Sequence, residues 1–397
     1  MTVALTATAS ACTVCDATAH EAILDLRSVP ASCCVLLPTR EEALAAPRGD
    51  VKLGFCDDCG MMRNLTFQPE LVEYSPSYEN SLHFSPTFQR FARDLADRLI
   101  GRYGLRGKDI VDIGCGKGEF LELICGPGTG NRGVGFDPSY VGPSSRGSVT
   151  FVREYYSEAH AHTPADLICC RHVLEHLTSP GELVTTLRNT SDSHPDAALY
   201  FEVPDGGFML RELDIWNVIY EHPSYFTAPA MRRLFEDAGF ATTDLASSFG
   251  GQYLCIEAGL DGAASAARPP ARPQEELEEL RRLAAAFGAA FADKVQKWGR
   301  RLAELRARGQ RVALWGAGAR GVTFLNVVPG GEQVDLVIDL NVRKHGRFVP
   351  GTAQQVHGPD VVRELPPDVV LVMNPRYADE IRRSLRDAGV PAQVLAV

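Results

Sequence analysis

The chain has 397 residues, with 40 basic and 50 acidic side chains and a formal net charge of −10. That balance excludes a nucleic-acid binder, whose affinity comes mainly from neutralising phosphates. No apolar run approaches the roughly 20 residues that span a bilayer, so no membrane partner is expected. The opening MTVALTATAS lacks a basic n-region and does not read as a signal peptide, so the 11 cysteines are expected to be cytoplasmic thiols or metal ligands.

Residues 1–70 are Cys-bearing, with short strand-like runs. Cys12-Thr-Val-Cys15 and Cys56-Asp-Asp-Cys59 form two C-x-x-C knuckles. Each knuckle points two thiolates at one ion, and two knuckles close a tetrahedral structural zinc site with no open position for catalysis. Cys33 and Cys34 lie in an apolar run, ASCCVLLP, and are expected to be packed.

Residues 71–260 alternate strand-like and helix-like stretches. In KDIVDIGCGKGEFLELI a strand enters a turn bearing Gly114, Gly116 and Gly118 and leaves as a helix. A dinucleotide fingerprint would carry glycine at position 119, where Glu119 stands. The spacing resembles motif I of class I S-adenosylmethionine-dependent methyltransferases. That resemblance implies Asp112 at the strand end for the cationic amino group of the cofactor, usually through water. Asp137 closes the next strand, in GVGFDPS, where a carboxylate accepts ribose hydroxyls in doubly wound folds. After VTFVRE, Glu154, Tyr155 or Tyr156 is placed to flank the adenine. The strand in ADLICCRHVLEHL delivers Arg171, His172, Glu175 and His176 just past its carboxyl end, where such sheets bind ligands.

NVIYEHPSYFT then packs Tyr220, Glu221, His222 and Tyr225 into eleven residues with no strong period. The Ala/Pro-rich segment 261–273 reads as a linker. Residues 274–308 read as one amphipathic helix, with Leu277, Leu280, Leu283, Phe287, Phe291, Val295, Trp298 and Leu302 at helical spacing. Residues 309–397 begin with a literal G-x-G-x-x-G at Gly316, Gly318 and Gly321, followed by Asp339 in VDLVIDLN. Taken alone this fits a dinucleotide-binding half, although a helix N-terminus there suits any pyrophosphate. The remaining length suffices for one βαβ-rich half. KHGRFVPGT and MNPRYADEI add basic and amide groups, and a substrate-anchoring α/β domain is expected.

The whole order resembles the sugar C-methyltransferases of antibiotic biosynthesis: a four-Cys module, a methyltransferase domain of class I α/β fold and a Rossmann-like C-terminal domain. The resemblance implies S-adenosylmethionine as cofactor, structural zinc on Cys12, Cys15, Cys56 and Cys59, and a nucleotide-linked keto-deoxysugar as substrate. It implies His222 as the base, Tyr220 and Glu221 as its helpers, and His176 and Tyr78 facing the substrate. Asp112, Gly114, Gly116, Gly118, Asp137, Tyr155 and Arg171 are the expected cofactor residues. A carbon nucleophile must lose a proton alpha to a carbonyl before it attacks a methyl group, and His is the usual choice for that step. Two features depart from the family. Its tyrosine lies three residues before the histidine, where this chain has Ile219, and its "GGSLR"-like segment is replaced by GGQYLCIEA. The alternatives are an oxygen or nitrogen acceptor, a non-catalytic nucleotide-binding protein, and an NAD-dependent oxidoreductase resting on Gly316, Gly318 and Gly321. A monomer or homodimer is expected.

Overall fold

The computed structural model describes residues 11–18, 20–260 and 273–397. The leader reading and nearly all of the linker reading fall outside the described residues. No helix among them is long and apolar enough to cross a membrane.

The central sheet has eight strands. In order they are Ala241–Ser248, Tyr253–Gly259, Ala198–Pro204, Leu167–Arg171, Asp109–Ile113, Arg132–Phe136, Val149–Val152 and Ser145–Arg146. The strands from Ala198–Pro204 to Val149–Val152 are mutually parallel, and Tyr253–Gly259 runs antiparallel between its two neighbours. The parallel strands read as continuous apolar runs because helices cover both faces. Chain order reverses between Asp109–Ile113 and Leu167–Arg171. This is the switch point at which open α/β sheets leave a crevice beyond the strand ends.

The N-terminal module is a four-stranded sheet. Glu21–Pro30, Arg48–Phe55 and Met62–Asn64 are joined by a fourth strand from far along the chain, Ser224–Tyr225. The "SY" of NVIYEHPSYFT is therefore hydrogen-bonded into the module. The C-terminal domain is a five-stranded parallel sheet in the order Val356–His357, Leu336–Ile338, Val312–Trp315, Val369–Val372 and Gln393–Ala396.

Helix Pro273–Ala307 confirms the period read from sequence. Its Leu280, Phe287, Phe291 and Leu302 are buried in one core with Ile23 and Leu53 of the module and Leu314 and Phe324 of the C-terminal domain. Burying such side chains stabilises by about 1.5–3 kcal/mol each. The helix thus joins the module to the C-terminal domain.

Candidate functional site

Two adjoining cavities open beyond the carboxyl ends of the central strands. The first lies over the glycine turn, and the second lies between the central and C-terminal domains. Tyr78, Asn80, Ser81, Leu82, His172 and His176 line both.

Gly114, Gly116 and Gly118 have φ of 70°, 57° and 85°, a left-handed backbone that side chains with a Cβ rarely adopt. A Cβ at Gly114 would overlap Val173, whereas one at Gly116 would meet nothing within 4 Å. The open space at Gly116 is where a ligand can lie on the backbone. The turn is braced by Asp137, whose Oδ2 accepts from Gly116 N at 2.9 Å and whose Oδ1 accepts from Ser139 N at 2.7 Å. Asp112 is 3% exposed and lines the cavity. Burial raises its pKa to about 7, against the lowering by the Arg171 guanidinium. A buried carboxylate facing open space fits a cationic ligand group. Asp112, Gly114, Gly116, Asp137, Tyr155 and Arg171 line one cavity that fits S-adenosylmethionine, whereas Gly118 packs against Phe151 and Arg146. Tyr155 sits at its rim, 66% exposed. Arg171 also lines it, but its Nε and Nη2 are committed to Glu202 Oε1 at 3.0 and 2.8 Å, and its guanidinium lies over Phe120.

Where the cavities meet, the YEH segment is held from several sides. Tyr225 Oη accepts from Ile219 N and donates to Ile219 O, closing the loop on itself. Glu221 is fully buried, and its Oε1 accepts from the backbone N–H groups of Cys33 and Cys34 at 2.7 and 3.1 Å. Cys33 and Cys34 are thus more than packing, because their amides orient this carboxylate. Burial raises the pKa of Glu221, and Oε2 has no partner among the described residues. His222 is 9% exposed, and its Nδ1 also lacks a partner. Burial, then the neighbouring His176 and His172, pushes its pKa well below the usual imidazole range, so it is neutral at pH 7. The His176 and His222 rings meet edge to face at 4.8 Å. His176 Nδ1 lies 3.0 Å from Glu221 O and 2.8 Å from Tyr74 Oη. A carbonyl only accepts, so Nδ1 carries the proton and the Nε2 lone pair stays free.

Tyr220 is not brought to this site. Its hydroxyl accepts from Gln68 N at 2.8 Å, its ring packs against Phe67, and it lies in the core of the module. Ile219 is among the residues lining the second cavity. Tyr78 lines both cavities, its ring 6.3 Å from that of His176.

Several residues here had little signal in the sequence. Tyr74 bonds His176 across a hundred positions of chain. His172 has a φ of 56° and is held between Glu175 Oε1 at 3.3 Å and Glu202 Oε1 at 3.2 Å. The second contact is off line, so it acts as an ion pair more than as a hydrogen bond. Burial opposes the charge on His172, but the two carboxylates outweigh it and raise its pKa to about 9.

The C-terminal wall of the second cavity is the other glycine turn. Asp339 Oδ2 accepts from Ala317 N at 2.8 Å, and its Oδ1 accepts from Asn341 N at 2.8 Å. Lys344 Nζ reaches Ala317 O and Asp339 Oδ2 at 3.2 and 3.3 Å. With the Lys344 ammonium as well as both amides on it, Asp339 is occupied where a dinucleotide fold would offer a carboxylate to ribose. Arg320 pairs with Asp214 at 2.6 Å, and Gln252 and Asn374 exchange amide hydrogen bonds across the cleft.

The sulfurs of Cys12 and Cys59 are 3.6 Å apart and those of Cys15 and Cys56 are 3.5 Å apart, with all four within 4.8 Å of one another. Four thiolates about 2.3 Å from one zinc ion would stand about 3.8 Å apart, so the set fits a closed tetrahedral site.

Residues 86–245 match the family model of a methyltransferase domain, and residues 270–390 match that of a C-methyltransferase C-terminal domain. A curated relative, the C-methyltransferase NovU of Streptomyces niveus, is 28% identical over 310 residues, 73% of this chain and 72% of its own. Among solved structures, the RosA dimethyltransferase of Streptomyces davawensis is 22% identical, covering 44% of this chain and 56% of that one at a TM-score of 0.34. The magnesium protoporphyrin IX methyltransferase of Synechocystis PCC 6803 is 17% identical, covering 44% and 84% at 0.33. With both domains matched in order, and with the glycine turn and Asp112 around a cavity that fits the cofactor, this chain is an S-adenosylmethionine-dependent methyltransferase similar to the C-methyltransferases.

Proposed function

We propose that the protein methylates a carbon next to the keto group of a nucleotide-linked deoxysugar, and that His222 takes the proton. The observation that carries this reading is the neutral, buried His222 imidazole with an unpartnered Nδ1, on the wall of the second cavity and in contact with His176, which lines both. S-adenosylmethionine, when bound, supplies an electrophilic methyl group. The chain's own work is to make and hold the carbon nucleophile. His222 accepts the proton alpha to the carbonyl, and Glu221, oriented by the Cys33 and Cys34 amides, stabilises the imidazolium that forms. Tyr78 and His176 hold the sugar at the junction. Asp112 and Asp137 meet the amino and ribose groups of the cofactor.

The C-terminal turn supports the sugar-nucleotide reading. Its backbone N–H groups, with Lys344 and Arg320, offer donors suited to a pyrophosphate. Zinc on the four cysteines fixes the module whose sheet holds Ser224–Tyr225 and whose loop holds Glu221. An oxygen acceptor is the second reading, favoured by Ile219, which lines the cavity where the sugar enzymes carry tyrosine.

The test uses S-adenosylmethionine with a carbon-13 methyl and a panel of nucleotide-linked 4-keto-deoxysugars. A new methyl signal in the carbon-bound region of the spectrum supports the first reading, and one in the oxygen-bound region selects the second. In deuterated water, His222→Ala should slow exchange of the substrate's alpha hydrogen by about 10²–10⁴-fold with cofactor binding unchanged. Full exchange in that variant would sink the role of His222.

A further inference from the structure

Besides the four cysteines, one other group among the described residues has ligand atoms close enough to hold a metal ion: Glu175, His176 and His222, with all three atoms within 4.8 Å of one another. Two imidazoles and one carboxylate form a recurring face for divalent transition ions, leaving other positions open to small ligands. Three further observations point the same way. Glu175 is 2% exposed, and its Oε2 has no partner among the described residues. His222 is 9% exposed, with Nδ1 unpartnered. The outer contacts are those of a built metal site, in which the second ring nitrogen of a ligating histidine donates to a carbonyl and the ligating carboxylate is itself held. Here His176 Nδ1 donates to Glu221 O, and Glu175 Oε1 is held by His172.

We propose that Glu175, His176 and His222 form a second divalent-cation site, for an ion such as Zn²⁺, Co²⁺ or Ni²⁺, in which the ion and the substrate proton compete for His222. Ligands at about 2.1 Å from one ion stand about 3.4 Å apart. Three ligands, two imidazoles and one carboxylate, hold an ion less tightly than four thiolates, so this site binds more weakly than the cysteine cluster. Loading the site withdraws the imidazole lone pair that accepts the proton, so occupancy switches the enzyme off. The competition rests on the proposed role of His222, whereas the binding does not.

The experiment titrates Co²⁺ into full-length protein whose cysteine cluster already holds zinc. A further equivalent should bind by calorimetry, with weak visible absorption and no thiolate charge-transfer band. Glu175→Gln and His222→Gln should each weaken that binding at least tenfold while still binding S-adenosylmethionine, which shows that they are folded. Absence of a further equivalent, or binding that ignores both substitutions, overturns the site. If binding is seen, methyl transfer should fall at least tenfold on loading and recover with a chelator too weak to strip the cysteines. Transfer that is unchanged or faster on loading overturns the competition and leaves the site standing.

Discussion

Two glycine turns open two helices in this chain, and a carboxylate accepting two backbone N–H groups braces each. Asp137 accepts from Gly116 N and Ser139 N, and Asp339 accepts from Ala317 N and Asn341 N, all at 2.7–2.9 Å. What differs is the charge around the brace. The central turn has a buried carboxylate, Asp112, two residues before its first glycine, where the C-terminal turn has Leu314. The C-terminal turn has Lys344 against Asp339 instead. On the proposed function, the central turn receives a cationic ligand group and the C-terminal turn an anionic one. The lesson is that a glycine motif specifies room and N–H groups, while the surrounding charges specify what lies there.

The largest effect that would break this comparison concerns Lys344. Lys344→Met leaves Asp339 buried without its counter-ion and should cost about 3 kcal/mol in urea unfolding. Asp112→Asn, which removes an unpaired buried charge, should not destabilise the free protein at pH 8. Equal losses in the two variants would mean that the carboxylates are in the same state. Next is Gly321→Ala, whose Cβ would overlap the Gly316 carbonyl oxygen, with an expected loss of about 2 kcal/mol. Glu119 fills the matching place in the central turn without such a clash. Gly116→Ala meets no protein atom, so its effect should appear as about tenfold weaker S-adenosylmethionine binding, with a smaller stability cost from its left-handed backbone.

The smallest effect is the most diagnostic. The carboxyl of Asp112 is raised to about 7 in the folded protein, so the free protein binds its proton more tightly than the unfolded chain does. Its contribution to stability is full below the unfolded value near 4 and is lost as pH rises through about 7. The ionised form receives a cationic group. Cofactor affinity should therefore rise about tenfold from pH 6 to pH 8, with proton release seen by calorimetry in two buffers. Asp112→Asn should flatten that dependence, and a wild-type affinity already flat in pH would remove Asp112 from the cofactor's amino group.

Much of this was legible in the sequence because it is local. The strand, turn and helix around Gly114 follow from apolar period and glycine spacing, and both C-x-x-C pairs follow from their own knuckles. The long helix is readable from Leu277 to Leu302 without any partner. The resemblance implies Tyr220 as a helper of His222, but neighbours in an irregular segment point in different directions. With Ser224–Tyr225 paired to Met62–Asn64, the Tyr220 ring packs in the module against Phe67.

The sequence by itself determined the elements, the two turns and the zinc-type knuckles, since each depends on residues within one or two turns of chain. Only the tertiary structure decided the charge state of the site. The Cys33 and Cys34 amides reach Glu221 across 188 and 187 positions. Tyr74 reaches His176 across 102. The neutrality of His222 comes from burial, and burial is a property of the whole packed molecule that no single stretch of sequence contains.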